Sequence, residues 1–98
     1  MEVNLCVLLW AHEGRDAELS AYEDKVLGLL PEHDGHVIQR ARTMAGNGNS
    51  DLPTEVQLLR FASDTALDGY MQDVRREALA GQRDEVIAMT EVMRIEMV

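Results

Sequence analysis

The sequence predicts one α+β domain over residues 1–98, with its elements in the order β-α-β-β-α-β. Two local patterns and the length carry this prediction. An apolar strand pattern runs from Val3 to Trp10, and a second strand pattern from Thr54 to Phe61 leads straight into a helix. A chain of 98 residues has room for one core and no second domain.

The stretch from Thr54 to Ala66 is the clearest landmark. Val56, Leu58 and Arg60 alternate with Gln57, Leu59 and Phe61, and a period of two is typical of a pleated strand. Ser63 or Asp64 can then accept a hydrogen bond from the first free N–H groups of a helix. Apolar residues follow at helical spacing: Ala66, Leu67, Tyr70, Met71 and Val74.

The first strand is apolar on both faces. One face carries Val3, Leu5, Val7 and Leu9, and the other carries Asn4, Cys6, Leu8 and Trp10. A strand with a solvated face would alternate between apolar and polar residues. If the helices cover one face of the sheet, a second copy of the chain is the economical cover for the other. The sequence therefore predicts a homodimer.

The remaining elements follow from weaker patterns. A helix is predicted from near Asp16 to Pro31, with an apolar face of Leu19, Tyr22, Val26, Leu29 and Leu30, and with Glu18, Glu23, Asp24 and Lys25 solvated. His36 to Thr43 predicts a partly exposed strand on which Val37, Gln39 and Ala41 share a face. Met44 to Pro53 predicts a flexible connection. Helical character continues to Met89 with an interruption at Gly81, which either separates two helices or merely weakens one, and Val92 to Val98 predicts the last strand.

This order of elements is the split βαβ, or ferredoxin-like, arrangement. It predicts a four-stranded antiparallel sheet with both helical segments on one face. Strands one and three would be central, which fits their more apolar sequences.

Charge and composition exclude several classes of function. A net charge of −9 with one lysine argues against nucleic acid and against anionic membrane surfaces. No apolar run reaches the roughly 20 residues of a membrane helix. The N-terminus has neither a basic flank nor a cleavage site, so no signal peptide is expected and the predicted location is cytoplasmic. The single cysteine, Cys6, allows no internal disulfide and no cysteine-built zinc site.

Three segments carry a resemblance to a known group: Tyr22, the run His33 to Arg40, and the run Val56 to Ser63. The chain resembles the dimeric α+β barrel superfamily, in particular its small uncharacterised proteins and, more distantly, the antibiotic biosynthesis monooxygenases. The resemblance implies a homodimer with a pocket between sheet and helices. It leaves the activity open, because the superfamily includes cofactor-free oxygenases, haem-degrading enzymes, isomerases and ligand-sensing domains.

The resemblance also suggests site residues. In the monooxygenase relatives an Asn on the first strand and a Trp elsewhere hold an aromatic substrate, and here Asn4 and Trp10 share one face of that strand. Trp10 stands in a different place from the family's Trp, and a packed core Trp is the alternative. The haem-degrading relatives use a helix histidine as the axial ligand. Neither predicted helix contains one, so no haem, and no other cofactor, is predicted.

Other candidates come from the residues themselves. His12 follows a central strand and can act as a base near neutral pH, with a solvated loop histidine as the alternative, as for His33 and His36. Their spacing predicts no metal site. Arg60 is a candidate catalytic or anion-binding residue, with an ion pair to Glu96 or Glu55 across the dimer as the alternative. Tyr22 and Tyr70 would place rings in the core and hydroxyls at a cavity.

Two functional hypotheses follow. The first is a cofactor-independent, monooxygenase-like enzyme acting on a small apolar or aromatic compound, with His12 and Arg60 as catalytic residues and Asn4, Trp10, Tyr22 and Tyr70 as substrate-binding residues. The second is a non-catalytic dimeric module that binds a small apolar ligand or a partner. A closed apolar pocket containing a polar group would favour the first, and a pocket filled by Trp10 and the methionines would favour the second.

Overall fold

The predicted architecture is confirmed. The computed structural model of the chain describes residues 1–48 and 51–98. Its strands are β1 (Val3–Ala11), β2 (Gly35–Arg42), β3 (Glu55–Phe61) and β4 (Ile87–Ile95). Its helices are α1 (Asp16–Leu27), α2 (Asp64–Met71), α3 (Val74–Ala78) and α4 (Ala80–Val86), with a 3-10 helix at Leu30–His33. The strand order is β2-β3-β1-β4 with every neighbour antiparallel, so the two most apolar strands are central.

The hydrophobic core lies between the helices and one face of the sheet. Every second residue of β1 and β3 is buried there, and α1 and α2 contribute the opposite layer. Ser63 caps α2 as predicted, because its hydroxyl accepts from the backbone N–H of Ala66 at 3.1 Å. The buried apolar residues of the two layers are Val3, Leu5, Val7, Leu9, Leu59, Phe61 and Ile87 from the sheet and Leu19, Tyr22, Val26, Leu27, Leu30, Tyr70 and Val86 from the helices.

Several boundaries differ from the prediction. Helix α1 ends at Leu27, and Pro31 lies inside the 3-10 helix that follows. That helix ends at His33 and is capped by Asp34, which has a left-handed φ of 52°. Gly81 interrupts nothing, since it lies inside α4; the helix breaks fall at Asp73, which caps α3, and at Leu79. The prediction continued the helix to Met89, but Ile87 pairs with Ala11 of β1, so α4 ends at Val86 and β4 begins at Ile87. Residues 49–50 of the predicted connection lie outside the described residues.

A bulge in β2 breaks the predicted alternation. Val37 lies opposite Leu59, but the register shifts and Gln39 then lies opposite Leu58. Directly opposed residues of antiparallel strands share a face. Val37 therefore lies on the helix side while Gln39 and Ala41 lie on the other side, and the prediction that the three share a face is wrong. The same shift brings Arg40 onto the helix side, opposite Gln57.

None of the helices in the described residues covers the second face of the sheet, and we refer to this face as the open face. Cys6, Leu8, Val56 and Leu58 lie at its centre and are only partly buried. Met93 lies beside Cys6 and is 45 % exposed. The first strand therefore has two apolar faces as predicted, and in the single chain only one of them is covered.

Candidate functional site

A cleft of about 500 Å³ lies between the sheet and the helices. Its floor is the helix side of β1 and β3, and it opens along β4, where Val92 is 55 % exposed. Tyr22 and Val26 of α1 and Tyr70 of α2 form the opposite wall. Apolar walls with few polar groups are typical of small-molecule sites. The polar lining residues are Glu23, Gln57, Arg76, Arg83, Thr90 and Arg94.

One end of the cleft is a buried polar cluster of Glu23, Gln57 and Glu55. The Gln57 Nε2 group donates to Glu23 Oε1 at 2.7 Å and to Glu55 Oε2 at 2.8 Å, so one amide bridges two carboxylates. All three residues are at most 6 % exposed. The prediction that Glu23 is solvated is therefore wrong. Burial raises the pKa of Glu23 above its ordinary value, and the hydrogen bond from Gln57 acts in the opposite direction.

Arg40 compensates Glu55 from the β2 side. Its guanidinium donates to Glu55 through Nε at 2.9 Å and through Nη2 at 3.1 Å, and Nη1 pairs with Asp24. This two-pronged contact is the geometry that arginine and carboxylate prefer. Without the bulge Arg40 would lie on the open face, so the bulge is what brings a cation to the buried carboxylate.

The two tyrosines of the helical wall are held differently. The Tyr70 hydroxyl donates to the backbone carbonyl of Val26 at 3.2 Å, and its ring packs against Phe61 at a centroid distance of 5.6 Å. Burial raises the pKa of Tyr70 to about 12. Burial also raises the pKa of Tyr22, with the charge of Glu23 adding to the effect. Both tyrosines are therefore neutral aromatic surfaces at physiological pH.

The cationic side of the cleft is formed by Arg76, Arg83 and Arg94. Arg83 donates to Thr90 Oγ1 at 3.1 Å, and Arg94 pairs with Asp64 at 2.6 Å. Arg76 lies over the Tyr70 ring, with its guanidinium carbon 4.6 Å from the ring centroid. This is a cation–π contact between the Arg76 guanidinium and the Tyr70 ring, both of which line the cleft.

The six predicted site residues do not share one pocket. Tyr22 and Tyr70 line the cleft. Asn4, Trp10 and Arg60 lie on the open face, on the other side of the sheet. His12 lies at the end of β1, where its Nε2 lies 3.0 Å from the backbone carbonyl of Asp84, a contact that requires the proton on Nε2. The cleft thus receives two of the six.

The open-face residues have local partners. Arg60 Nε donates to Asn4 Oδ1 at 3.1 Å and pairs with Glu2 at 3.0 Å. Within the chain Glu55 is not a partner of Arg60, because the two side chains alternate to opposite faces of β3. The Trp10 Nε1–H donates to the backbone carbonyl of Asp51 at 3.0 Å, so the indole is tied to the loop before β3.

His33 is not a solvated loop histidine. Its Nε2 lies 2.8 Å from Asp73 Oδ2, and its ring meets the Tyr70 ring edge-on at 6.1 Å. The same carboxylate pairs with Arg75, which also pairs with Glu32. Arg75 first and His33 second hold the pKa of Asp73 well below its usual range. The cluster ties the start of α3 to the 3-10 helix, and within the described residues no three His, Cys, Asp or Glu side chains converge as metal ligands.

Sequence reasoning missed Glu23, Gln57 and Arg76. Glu23 comes four residues after Leu19 and four before Leu27, which puts it on the buried face of α1. Gln57 shares a strand face with Leu59 and Phe61. In both cases a polar residue at a position that the periodicity assigns to the core could have indicated a buried polar site. Arg76 follows a helix break, so no periodicity links it to Tyr70.

Comparison with known proteins supports the fold. No family model matches the chain, and no curated protein matches it. A dimeric ferredoxin-like protein of unknown function from Jannaschia sp. CCS1 is 17 % identical with a TM-score of 0.73, and the match covers 99 % of this chain and 100 % of that one. A dimeric protein of unknown function and ferredoxin-like fold from Bacteroides fragilis is 12 % identical with a TM-score of 0.71, covering 98 % and 96 %.

Among the described residues no helix combines the length and the apolar composition needed to cross a membrane.

A third solved structure, PA3566 from Pseudomonas aeruginosa, is 10 % identical with a TM-score of 0.74, covering 99 % of this chain and 94 % of that one. At sequence identities of 10 to 17 % these three similarities concern the fold alone. The chain has a ferredoxin-like α+β fold that matches solved structures over nearly its whole length.

Proposed function

We propose that this chain is a homodimeric domain that binds one small, flat, largely apolar compound per subunit in the cleft between sheet and helices. The observation that carries the proposal is the cleft itself, with its apolar floor, its two aromatic walls and its buried polar end at Glu23 and Gln57. The apolar floor and the tyrosines provide the area for binding, and the polar end provides orientation.

The homodimer is supported by the open face. A sheet face with apolar groups at its centre is costly to leave in water, and a second copy covers it by symmetry. The Jannaschia and Bacteroides fragilis proteins are both described as dimeric. On this proposal Asn4, Trp10 and Arg60 are interface residues, while Tyr22 and Tyr70 keep their predicted role as ligand-binding residues.

The binding proposal is tested with the neutral fluorescent probe phenylnaphthylamine, whose emission rises in an apolar site. Val92 and Met93 are neighbours on β4 that point to opposite faces, Val92 into the cleft and Met93 to the open face. We expect Val92→Trp to weaken probe binding roughly tenfold, or about 1.4 kcal/mol, because the indole fills the cleft mouth. Met93→Trp is the matched control and should leave the affinity per chain unchanged. If neither phenylnaphthylamine nor its anionic counterpart anilinonaphthalene sulfonate binds the wild type, or if both variants lose affinity equally, the proposal is refuted.

A cofactor-independent, monooxygenase-like enzyme is the second candidate, and the buried carboxyl of Glu23 favours it. A carboxylate with a raised pKa beside an apolar cleft can remove a proton from a bound phenol or activated C–H group. The substrate would then supply all the electrons that reduce O₂, one oxygen atom entering the product and the other leaving as water.

Oxygen uptake with an electron-rich phenol separates the two candidates. The enzyme proposal expects uptake by the wild type and a large loss in Glu23→Gln, whereas His12→Ala would be the damaging change if His12 were the base. Uptake that neither substitution alters would remove both assignments. The same assay of Arg60→Gln tests the predicted catalytic role of Arg60, and we expect this substitution to act on assembly instead.

A further inference from the structure

We propose that the ligand of the cleft carries an anionic group on its flat apolar body, and that Arg76 contacts that group. This inference rests on the proposed function, since it names the chemical class of ligand for the same cleft. Three observations carry it: an unsatisfied donor on Arg76, the absence of an acidic partner for Arg76 among the described residues, and the charge balance of the cleft lining.

Arg76 has a buried donor that lacks a partner. Its Nη1 donates to the Met71 backbone carbonyl at 3.3 Å and lies 3.5 Å from the Met71 sulfur. Its Nε, by contrast, is shielded from solvent and has no hydrogen-bond partner among residues 1–48 and 51–98. A desolvated donor of a charged group is costly to leave unmade, so an acceptor that reaches this guanidinium from the cleft would be stabilised by it.

The neighbouring arginine shows that this is not a general property of the segment. Arg75 pairs with Asp73 and with Glu32. For Arg76, no carboxylate in the described part of the chain comes within 4.0 Å of the guanidinium. The chain has a net charge of −9, and yet even Glu23, whose pKa burial raises and the charge of Arg76 partly lowers, does not come within 4.0 Å of this guanidinium. An anionic ligand supplies both the missing charge and the missing acceptor.

The charges of the cleft lining point the same way. Arg76, Arg83 and Arg94 all line the cleft, whereas Glu23 is the one carboxylic acid among its described lining residues. Burial favours the neutral form of that acid. Arg83 and Arg94 are already hydrogen-bonded to Thr90 and Asp64, so they contribute to the positive potential while Arg76 is available for contact.

A purely structural role for Arg76 makes a different prediction. In that case the residue would only cap the carbonyl of Met71 and pack on Tyr70, and its loss would lower stability without changing which ligands bind. The two roles are separated by a pair of probes with one aromatic body. Anilinonaphthalene sulfonate carries an anionic group, and phenylnaphthylamine is its neutral counterpart.

The experiment is a titration of both probes into the wild type, Arg76→Gln and Arg15→Gln. Arg15 is exposed at the start of α1, away from the cleft, and its variant removes the same charge from the chain. We expect the wild type to prefer the sulfonate. Arg76→Gln should weaken sulfonate binding about tenfold, the effect of one charge-assisted hydrogen bond, and weaken phenylnaphthylamine binding much less. Arg15→Gln should change neither affinity.

Arg76→Lys is the second variant, used if Arg76→Gln does not fold by circular dichroism. It keeps the positive charge but lacks the Nε–H donor, so part of the preference should remain. Equal binding of both probes to the wild type, or a parallel loss of both in either Arg76 variant, overturns the inference and leaves cleft binding standing. Failure of both probes to bind the wild type refutes the proposed function itself.

Discussion

Two glutamates of the polar cluster show how single residues are tolerated in the core. Glu55 is 1 % exposed and is met by two N–H donors of Arg40 and one of Gln57. Glu23 is 6 % exposed, accepts from Gln57, and pairs with no cation within 4.0 Å in the described residues. A buried carboxylate needs either a partner charge or a proton. Glu55 has a partner charge, the guanidinium of Arg40. Glu23 has a raised pKa, which favours its protonated form.

Removing the charge of Arg40 should therefore destabilise the fold. Arg40→Gln leaves Glu55 buried without its cation, and we expect the free energy of unfolding to fall by about 3 kcal/mol. Urea denaturation measures this. Arg42→Gln is the control, because Arg42 lies two positions on and its Nη2 donates to a neutral group, Ser20 Oγ. A loss no larger than that of Arg42→Gln would show that Glu55 does not depend on Arg40.

Glu23 gives a prediction about pH. Its pKa in the folded chain is raised above the ordinary 4.5, so the folded state holds this proton more tightly than the unfolded state. The wild type therefore loses stability as pH rises from the ordinary value through the folded pKa. A glutamine side chain cannot titrate, so Glu23→Gln should gain stability relative to the wild type over that rise.

Urea denaturation at a series of pH values from about 4 to about 8 tests this, with the difference in unfolding free energy as the readout. Glu18→Gln, on the exposed side of the same helix, is the control. If the difference in unfolding free energy between the wild type and Glu23→Gln does not change with pH, the pKa of Glu23 is not raised in the folded chain.

At the scale of elements, two glycines differ in how much space surrounds them: Gly81 in α4 and Gly35 at the start of β2. Gly81 lies in α4 with nothing within 4 Å of the position a Cβ would occupy. At Gly35, the first residue of β2, a Cβ would lie 2.9 Å from Phe61 Cε1 and 3.0 Å from Leu30 Cδ2. The first glycine is therefore dispensable, and the second permits the close packing of β2 on the core.

Alanine substitution at the two glycines should change the free energy of unfolding in opposite directions. Gly81→Ala should raise the free energy of unfolding by about 0.5–1 kcal/mol, because alanine favours helix and restricts the unfolded chain. Gly35→Ala should lower it by about 1–3 kcal/mol, because the core around Phe61 and Leu30 has no space for the methyl group. Thermal denaturation of both variants decides the matter. A stabilising Gly35→Ala would mean that β2 can move away from Phe61 at no cost.

For the whole molecule, the open face is the surface through which the proposed homodimer would form. Its central residues come from β1 and β3, and they would be covered only in the proposed homodimer. A dimer formed through this face leaves the cleft of each subunit free, since cleft and open face lie on opposite sides of the sheet. The proposed assembly and the proposed ligand binding are therefore separable by mutation.

Leu58→Glu should dissociate the proposed dimer. The substitution places a charge opposite Cys6 at the centre of the open face, where burial in an interface would leave it unpaired. Light scattering should give the mass of two chains for the wild type and of one chain for the variant. Met44→Glu, at a position 79 % exposed in the connection, is the control. A wild type with the mass of one chain at all concentrations would refute the dimer.

The polar end of the cleft was partly readable in the sequence. The spacing from Leu19 and Leu27 is enough to place Glu23 on the buried face of α1, although Glu23 was predicted to be solvated, and strand alternation places Gln57 beside Leu59 and Phe61. The identity of the partners was not readable, because Glu23, Gln57 and Arg40 come together from three separate elements. Only the register between strands brings such residues within hydrogen-bond distance.

The sequence by itself determined the order of the elements, the two central strands and which residues of β1 and of β3 share a face. These follow from local periodicity, which each segment carries without its neighbours. The tertiary structure alone decided where β4 begins, the bulge that turns Arg40 inward, and the separation of Tyr22 and Tyr70 from Asn4, Trp10 and Arg60. Those features depend on pairing between distant segments, where the gain from ladder hydrogen bonds and buried charge outweighs local preference.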